Sequence, residues 1–435
     1  MGRTVLAGAT VIGGPKAAFE GTCIIEQGRI AWVGPHAETH IGGDDEVYDL
    51  TGRFLMPGLI SCHMHADLIR YGLAEFAAGE RLGKERPPGF LMAAAVRTAR
   101  LLLETGFTGY VGAACPHQID AQMEMAIEDG IVPGPRIRPC SHHVGTTADN
   151  NDTVKWWHDF RTPGTDVFAD GVDALRALVR TEIRCGARII KIYASSGQGI
   201  PNRHGVRNMS REEMAAIVET AHERGVPVRA HVTQRDLILE CIDLGVDVIN
   251  HGNEMDEICI ERMARAETFW VPSLLFSRIA LDHGAGLESE YGRTFENLSQ
   301  MLPRADEAGV RILLGDDYGV DGMSHERGVY GRELGVYARA TGIDPERILH
   351  WGTVNGGELL SGKHGELGLI APGALADLVV LSADPRADLT ILERPQDNLV
   401  DVMRGGAFHF GRLEASSGIE GLRDSGSANR TAIGA

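Results

Sequence analysis

Between residues 59 and 317 short apolar runs alternate with helix-length amphipathic segments, and no other feature constrains the fold of this chain so tightly. Parallel strands cannot be joined by a tight turn, so apolar runs separated by helical stretches mark parallel pairing through crossover helices. Eight such runs stand out, at 59–67, 107–113, 136–144, 188–195, 226–232, 246–253, 269–276 and 310–317. Helical patterns fill the gaps at 90–104, 171–185 and 210–224, the last opened by Ser210-Arg-Glu-Glu, which predicts a capping box. Eight β/α units over roughly 250 residues or somewhat more predict an α/β protein built as a (β/α)8 barrel, whose reactive groups gather at the C-terminal strand ends.

The residues found at those ends are metal-ligand types. His63 and His65 stand two apart in Gly58-Leu-Ile-Ser-Cys-His-Met-His, so on a strand both imidazoles share a face and reach one point. Lys191, His231, His251 and Asp317 end later runs. Asp316 and Asp317 are neighbours, and adjacent strand residues face opposite ways, so one of them points at such a centre. Tyr193 shares the face of Lys191, where it either bonds a substrate carbonyl or simply packs. Arg229 precedes His231 by two and therefore faces inward, where an unpaired cation is costly. It is either a clamp for a substrate carboxylate or a partner for an internal acid such as Asp316.

On both sides of this region the pattern changes to short apolar runs between Gly and acidic turns, among them 4–7, 23–26, 29–33, 365–370, 376–381 and 401–410. These predict short antiparallel strands, and neither flank alone has enough of them for a stable sandwich. Residues 1–57 and 367–413 are therefore expected to form one composite β-sandwich domain beside a barrel of residues 58–366, with 414–435 as a loose Ser/Gly/Ala-rich tail. A net charge of −18 argues against a nucleic-acid partner. No apolar run approaches the ~20 residues of a membrane helix, and the first residues read as strand, so the expectation is a soluble cytoplasmic protein without a membrane partner. Seven scattered cysteines with no C-x-x-C pair fit reduced, packed thiols, Cys62 and Cys140 included.

Two motifs carry a resemblance over nearly the whole chain. Met56-Pro-Gly-Leu-Ile-Ser-Cys-His-Met-His is similar to the "PGLID-H-x-H" first strand of the amidohydrolase superfamily, and Gly373-Ala-Leu-Ala-Asp-Leu-Val-Val to its "G-x-x-ADLVV" closing strand. The chain resembles the binuclear branch with Xaa-Pro-dipeptidase-like and imidazolonepropionase-like members. That resemblance implies that His63 and His65 bind the more buried of two divalent ions, and that His231 and His251 bind the more exposed one. It also implies that Lys191, carbamylated by carbon dioxide, bridges the two. The family's Gly-Thr-Asp-x-Gly aligns with Gly315-Asp316-Asp317-Tyr318-Gly319, which selects Asp317 as last ligand and acid/base and leaves Asp316 behind it. Zn is the first choice of metal, with Co, Mn or Fe acceptable to the same donors.

The implied chemistry is hydrolysis of an amide-type C–N bond by a metal-bridging hydroxide, in a small-molecule substrate such as a dipeptide, an N-acyl amino acid, a cyclic amide or a urea-like compound. Ester, lactone or phosphotriester hydrolysis at the same centre is the alternative, and a homo-oligomer is the expected assembly. Dipeptidase-like members carry a loop His that assists the carbonyl; here Asn150 stands near its place, and His142 or His143 can substitute. Trp156 and Trp157 form either a lid over an apolar substrate or a packed pair.

Overall fold

The computed structural model describes residues 2–14, 17–68, 86–149, 152, 157, 164–197, 206–319 and 323–415. The chain opens with β1 (Thr4–Val11), β2 (Phe19–Glu26), β3 (Arg29–Gly34), β4 (Glu46–Asp49) and β5 (Phe54–Pro57). After Gly58 alone, β6 (Leu59–Met64) begins, and the parallel region follows it. Its further strands are β7 (Phe107–Gly112), β8 (Arg136–Arg138), β9 (Cys140–Gly145), β10 (Asp166–Phe168), β11 (Ile189–Tyr193), β12 (Val228–Val232), β13 (Val248–His251), β14 (Phe269–Val271) and β15 (Arg311–Ile312).

All pairings among these are parallel, in two sheets ordered β6-β7-β8 and β10-β9-β11-β12-β13-β14-β15. The expected third strand is split at Pro139, which has no N–H to give to a ladder. Its first half, β8, pairs with β7, while the second half, β9, pairs with β11 and with the edge strand β10, which none of the eight expected runs covers. Backbone bonds link the two sheets on both flanks: Arg188 N donates to Pro139 O (2.8 Å) and Cys62 N to Leu314 O (2.7 Å). The seventh run stops early because Pro272 again removes a donor; Ser273 turns to φ +54° and a helix takes over at Leu274–Asp282. The eighth keeps only two paired residues before an irregular stretch that passes through Gly315 at φ +144°.

Helices at Pro88–Glu104, Val172–Arg184 and Arg211–His222 occupy the expected gaps. The last has its capping box, with Ser210 Oγ accepting from Glu213 N (3.3 Å) and the Glu213 carboxylate accepting from Ser210 N (2.9 Å).

The closing strands β16 (Leu378–Leu381), β17 (Leu399–Arg404) and β18 (Ala407–Phe408) complete a sheet of eight, ordered β18-β17-β16-β5-β1-β2-β3 with β4 also on β1. Both flanks of the chain thus meet in one sheet, but it is mixed, not antiparallel. The chain reverses once from β1 to β2 and again from β2 to β3, and β4 and β5 then pair parallel to β1. Residues 365–370, expected as strand, are turns and bends. β1 is covered on both sides: Leu6, Ala9 and Val11 belong to one buried cluster, Val5 and Ala7 to another. All seven cysteines are unpaired thiols. No helix among the described residues is long and apolar enough to cross a membrane.

Candidate metal centre

Four side chains from the C-terminal ends of the parallel strands converge on one point. His63 and His65, from β6 and just beyond it, place Nε2 at 2.8 and 3.5 Å from Asp317 Oδ1, and His251 Nδ1 lies 3.9 Å from Asp317 Oδ2. One donor atom each from His63, His251 and Asp317 fall within 4.8 Å of one another. The His231 ring lies 4.5 Å from that of His251 and stacks on Tyr193 at 4.2 Å. His63, His231 and His251 are each at most 3% exposed. Burial above all holds all three imidazoles well below their usual pKa, hence neutral, with lone pairs available to a cation.

His251 reaches this point by an irregularity. β12 and β13 pair His231 with Asn250 and Val232 with His251, so plain alternation puts Asn250, and not His251, on the side of His231. A φ of +68° at His251 turns its ring to the same side, with Trp270 Nε1 donating to its carbonyl (2.9 Å). Such a conformation in a non-glycine residue costs on the order of 1–3 kcal/mol and is typical of functional sites.

The donor set fits a metal. Among the described residues His231 Nε2 and His251 Nδ1 are buried without a hydrogen-bond partner, which is costly unless something else occupies their lone pairs. His65 Nδ1 lies 3.0 Å from the carbonyl of Ala114, so its N–H donates there and leaves Nε2 to face the centre, the usual outer support of a metal-binding histidine. Asp317 is raised by burial but more strongly lowered by His63 and His251 beside it, and stays ionised. Lys191 is 1% exposed; burial first, then the nearby Arg229 cation, lower its amine to about 7.

Asp316 is turned away, its carboxylate accepting from the backbone N–H of Phe276 (3.0 Å) and of Asp317 (2.8 Å). Arg229 is engaged elsewhere than expected. It is fully buried and donates to Asn250 Oδ1 (3.1 Å), Gly112 O (2.6 Å) and Cys62 O (2.8 Å), so it is neither a carboxylate clamp nor the partner of Asp316. His142 is also displaced from the site: it points into the helical layer and pairs with Glu182 (3.0 Å). His143 does face inward, its ring 4.4 Å from Tyr193 and 6.2 Å from His65, with Nδ1 3.0 Å from Asp166 Oδ1. Asn150 and Trp156 lie outside the described residues, and Trp157 is 63% exposed, which removes the packed reading for it.

Three contributors escaped the sequence reading. Asn250 touches Arg229, Lys191 and His63; Asp166 orients His143; His325 holds the His65 carbonyl (2.9 Å). The register of β13 was the one available signal for Asn250, hidden because asparagine is not a usual ligand type.

The model for the amidohydrolase family matches residues 54–408. An ochratoxinase from Aspergillus niger is 26% identical over 433 residues, covering 94% of this chain and 86% of the relative. An imidazolonepropionase from Nocardia farcinica is 24% identical over 378 residues, 83% of this chain and 84% of the relative. Among solved structures, a prolidase complexed with N-methylphosphonate-L-proline has a TM-score of 0.80 at 26% identity, over 94% of this chain and 99% of that one. The chain belongs to the amidohydrolase family. It is a hydrolase acting on carbon–nitrogen bonds, in a family that generally depends on metal ions.

Proposed function

We propose that this protein hydrolyses an amide-type C–N bond in a small molecule (a dipeptide, an N-acyl amino acid, a cyclic amide or a urea-like compound) at a centre of two divalent ions, most readily Zn. The observation that carries the reading is the convergence of His63, His65 and His251 on Asp317, with unpartnered ring nitrogens on His231 and His251. His63, His65 and Asp317 would hold one ion and His231 and His251 the other. As a carbamate Lys191 would offer an anionic group to both: its neutral amine would add to carbon dioxide and lose a proton, a step favoured by an amine lowered to about 7. When bound, the ions supply a Lewis acid for the scissile carbonyl and a water acidic enough to attack it.

The protein's own groups do the rest. Asp317, ionised and 19% exposed at its side chain, takes the proton of the attacking water on a carboxylate oxygen and returns it to the leaving nitrogen. His143 donates its Nδ1–H to Asp166, so its Nε2 accepts, and it holds a substrate N–H. Tyr193, against both His143 and His231, contacts the carbonyl, and Asn150 remains a candidate contact outside the described residues.

The two backbone links between the parallel sheets support a closed (β/α)8 barrel over 58–366. The doubly covered β1 supports a companion β-sandwich from 1–57 and 367–413, with 414–435 as a tail. A cytoplasmic homo-oligomer completes the proposal.

The test pairs metal content per chain, in protein purified without chelator, with a panel of matched amides and esters. Near two ions with amide turnover supports the reading. Turnover of esters, lactones or phosphotriesters alone replaces the substrate class, and one ion or none, with no turnover after metal and bicarbonate are restored, defeats it.

A further inference from the structure

Asn250 is fully buried between the residues assigned to the two metal positions. Its Oδ1 accepts from Arg229 Nε (3.1 Å) and Lys191 Nζ (3.4 Å), and its amide nitrogen lies 2.9 Å from His63 Nδ1. The Arg229 guanidinium, which can only donate, fixes the amide, since turning it over would set its NH2 against Arg229 Nε–H. The NH2 therefore donates to His63 Nδ1. A neutral imidazole that accepts at Nδ1 carries its hydrogen on Nε2, and His63 Nε2 is 2.8 Å from the carboxylate of Asp317. That nitrogen is the one a metal beside Asp317 must take. The left-handed turn at His251 is what allows Asn250 and His251, consecutive on one strand, to face the same side, so the fold accepts backbone strain to keep both there.

We infer that Asn250 is a positioning residue that couples the two metal positions, holding the His63 hydrogen on the metal-facing nitrogen while its oxygen holds the Lys191 amine. The inference rests on the ligand roles given under Proposed function. It makes the first ion bind more weakly than its ligands alone would allow, and it makes binding there respond to what Lys191 carries.

Asn250→Asp separates the two halves of this coupling. One carboxylate oxygen keeps Arg229 and Lys191, while the other accepts from His63 Nδ1 and frees Nε2; the added negative charge meanwhile repels a carbamate on Lys191. In competition with a chelating dye, using Co2+ in carbon-dioxide-free buffer, Asn250→Asp should bind the first ion about tenfold or more tightly. It should also need more bicarbonate to take up the second. Asn250→Leu, which removes the amide that holds the hydrogen, should leave the first ion bound no more weakly than in wild type and should weaken the second. Shifts of both ions in the same direction in Asn250→Asp, or no shift in either variant, overturn the inference. Nitrogen NMR of histidine-labelled metal-free wild type gives an answer that needs no variant: His63 should carry its hydrogen on Nε2, and a hydrogen on Nδ1 overturns the inference as well. Loss of the ligand roles themselves would show separately, as unchanged Co2+ stoichiometry in His63→Ala and Lys191→Ala.

Discussion

Arg229 illustrates how a single residue changes meaning between sequence and fold. Its inward direction followed from strand alternation, but which oxygens it would meet depended on β6 and β7, far away in sequence. Replacement by Met removes this donor from the buried carbonyls of Cys62 and Gly112, at about 1–3 kcal/mol each, and leaves Asn250 Oδ1 with Lys191 alone. Arg229→Met should therefore lose about 3 kcal/mol or more of stability in urea unfolding. It should also slow carboxylate-bearing and neutral substrates alike; a loss confined to the former would restore the clamp. Lys191 predicts the opposite profile. Lys191→Ala should stay folded, since a buried amine with one weak contact is removed, yet lose the second ion and most turnover. Metal analysis finding two ions and full rate would contradict it.

At the level of elements, long and strongly periodic segments were legible and their interruptions were not. The helix at Arg211–His222 lies inside its expected bounds because its cap, Ser210 with Glu213, is local chemistry. Ser210→Ala should cost about 1 kcal/mol in thermal or denaturant unfolding, with turnover unchanged. The seventh and eighth strands were overextended because their ladders depend on partners: Pro272 has no N–H to offer, and Gly315 leaves the strand for a close approach to His63. A Cβ on Gly315 would sit 2.3 Å from His63 N and 2.9 Å from His63 Cβ, at a φ of +144° that side chains disfavour. Gly315→Ala should push β6 away from Leu314, lowering the melting temperature and the retained metal together; a drop in melting temperature with metal affinity intact would disconnect this glycine from the centre. The ligand residues were readable because histidine, lysine and aspartate at strand ends are scarce and chemically pointed. Asn250, Asp166 and His325 support them from behind and needed the register and the loops to be seen.

Over the whole molecule, stability should depend on pH through buried acids as well as through the net charge of −18. Asp120 is 1% exposed, accepts from Tyr110 Oη (3.0 Å) and Cys140 N (3.2 Å), and burial raises its pKa from 3.8 to about 6. Because the folded value lies above the unfolded one, this group's contribution is fully present below about pH 4 and is lost as pH rises through about 6. Asp120→Asn should flatten that part of the melting-temperature profile, and an unchanged slope would acquit Asp120. The large sheet carries a different consequence. β5 leads through Gly58 directly into β6, and it is held by β16, with Gly58 N bonded to Asp377 O (2.9 Å). During synthesis, then, the strand bearing His63 meets β7 early, but its other neighbour at Leu314, and the β16 that holds β5, are delivered by the ribosome only late in the chain. Such distant pairing slows folding, and it schedules the assembly of the ligand cage as one of the last events in the life of the nascent chain.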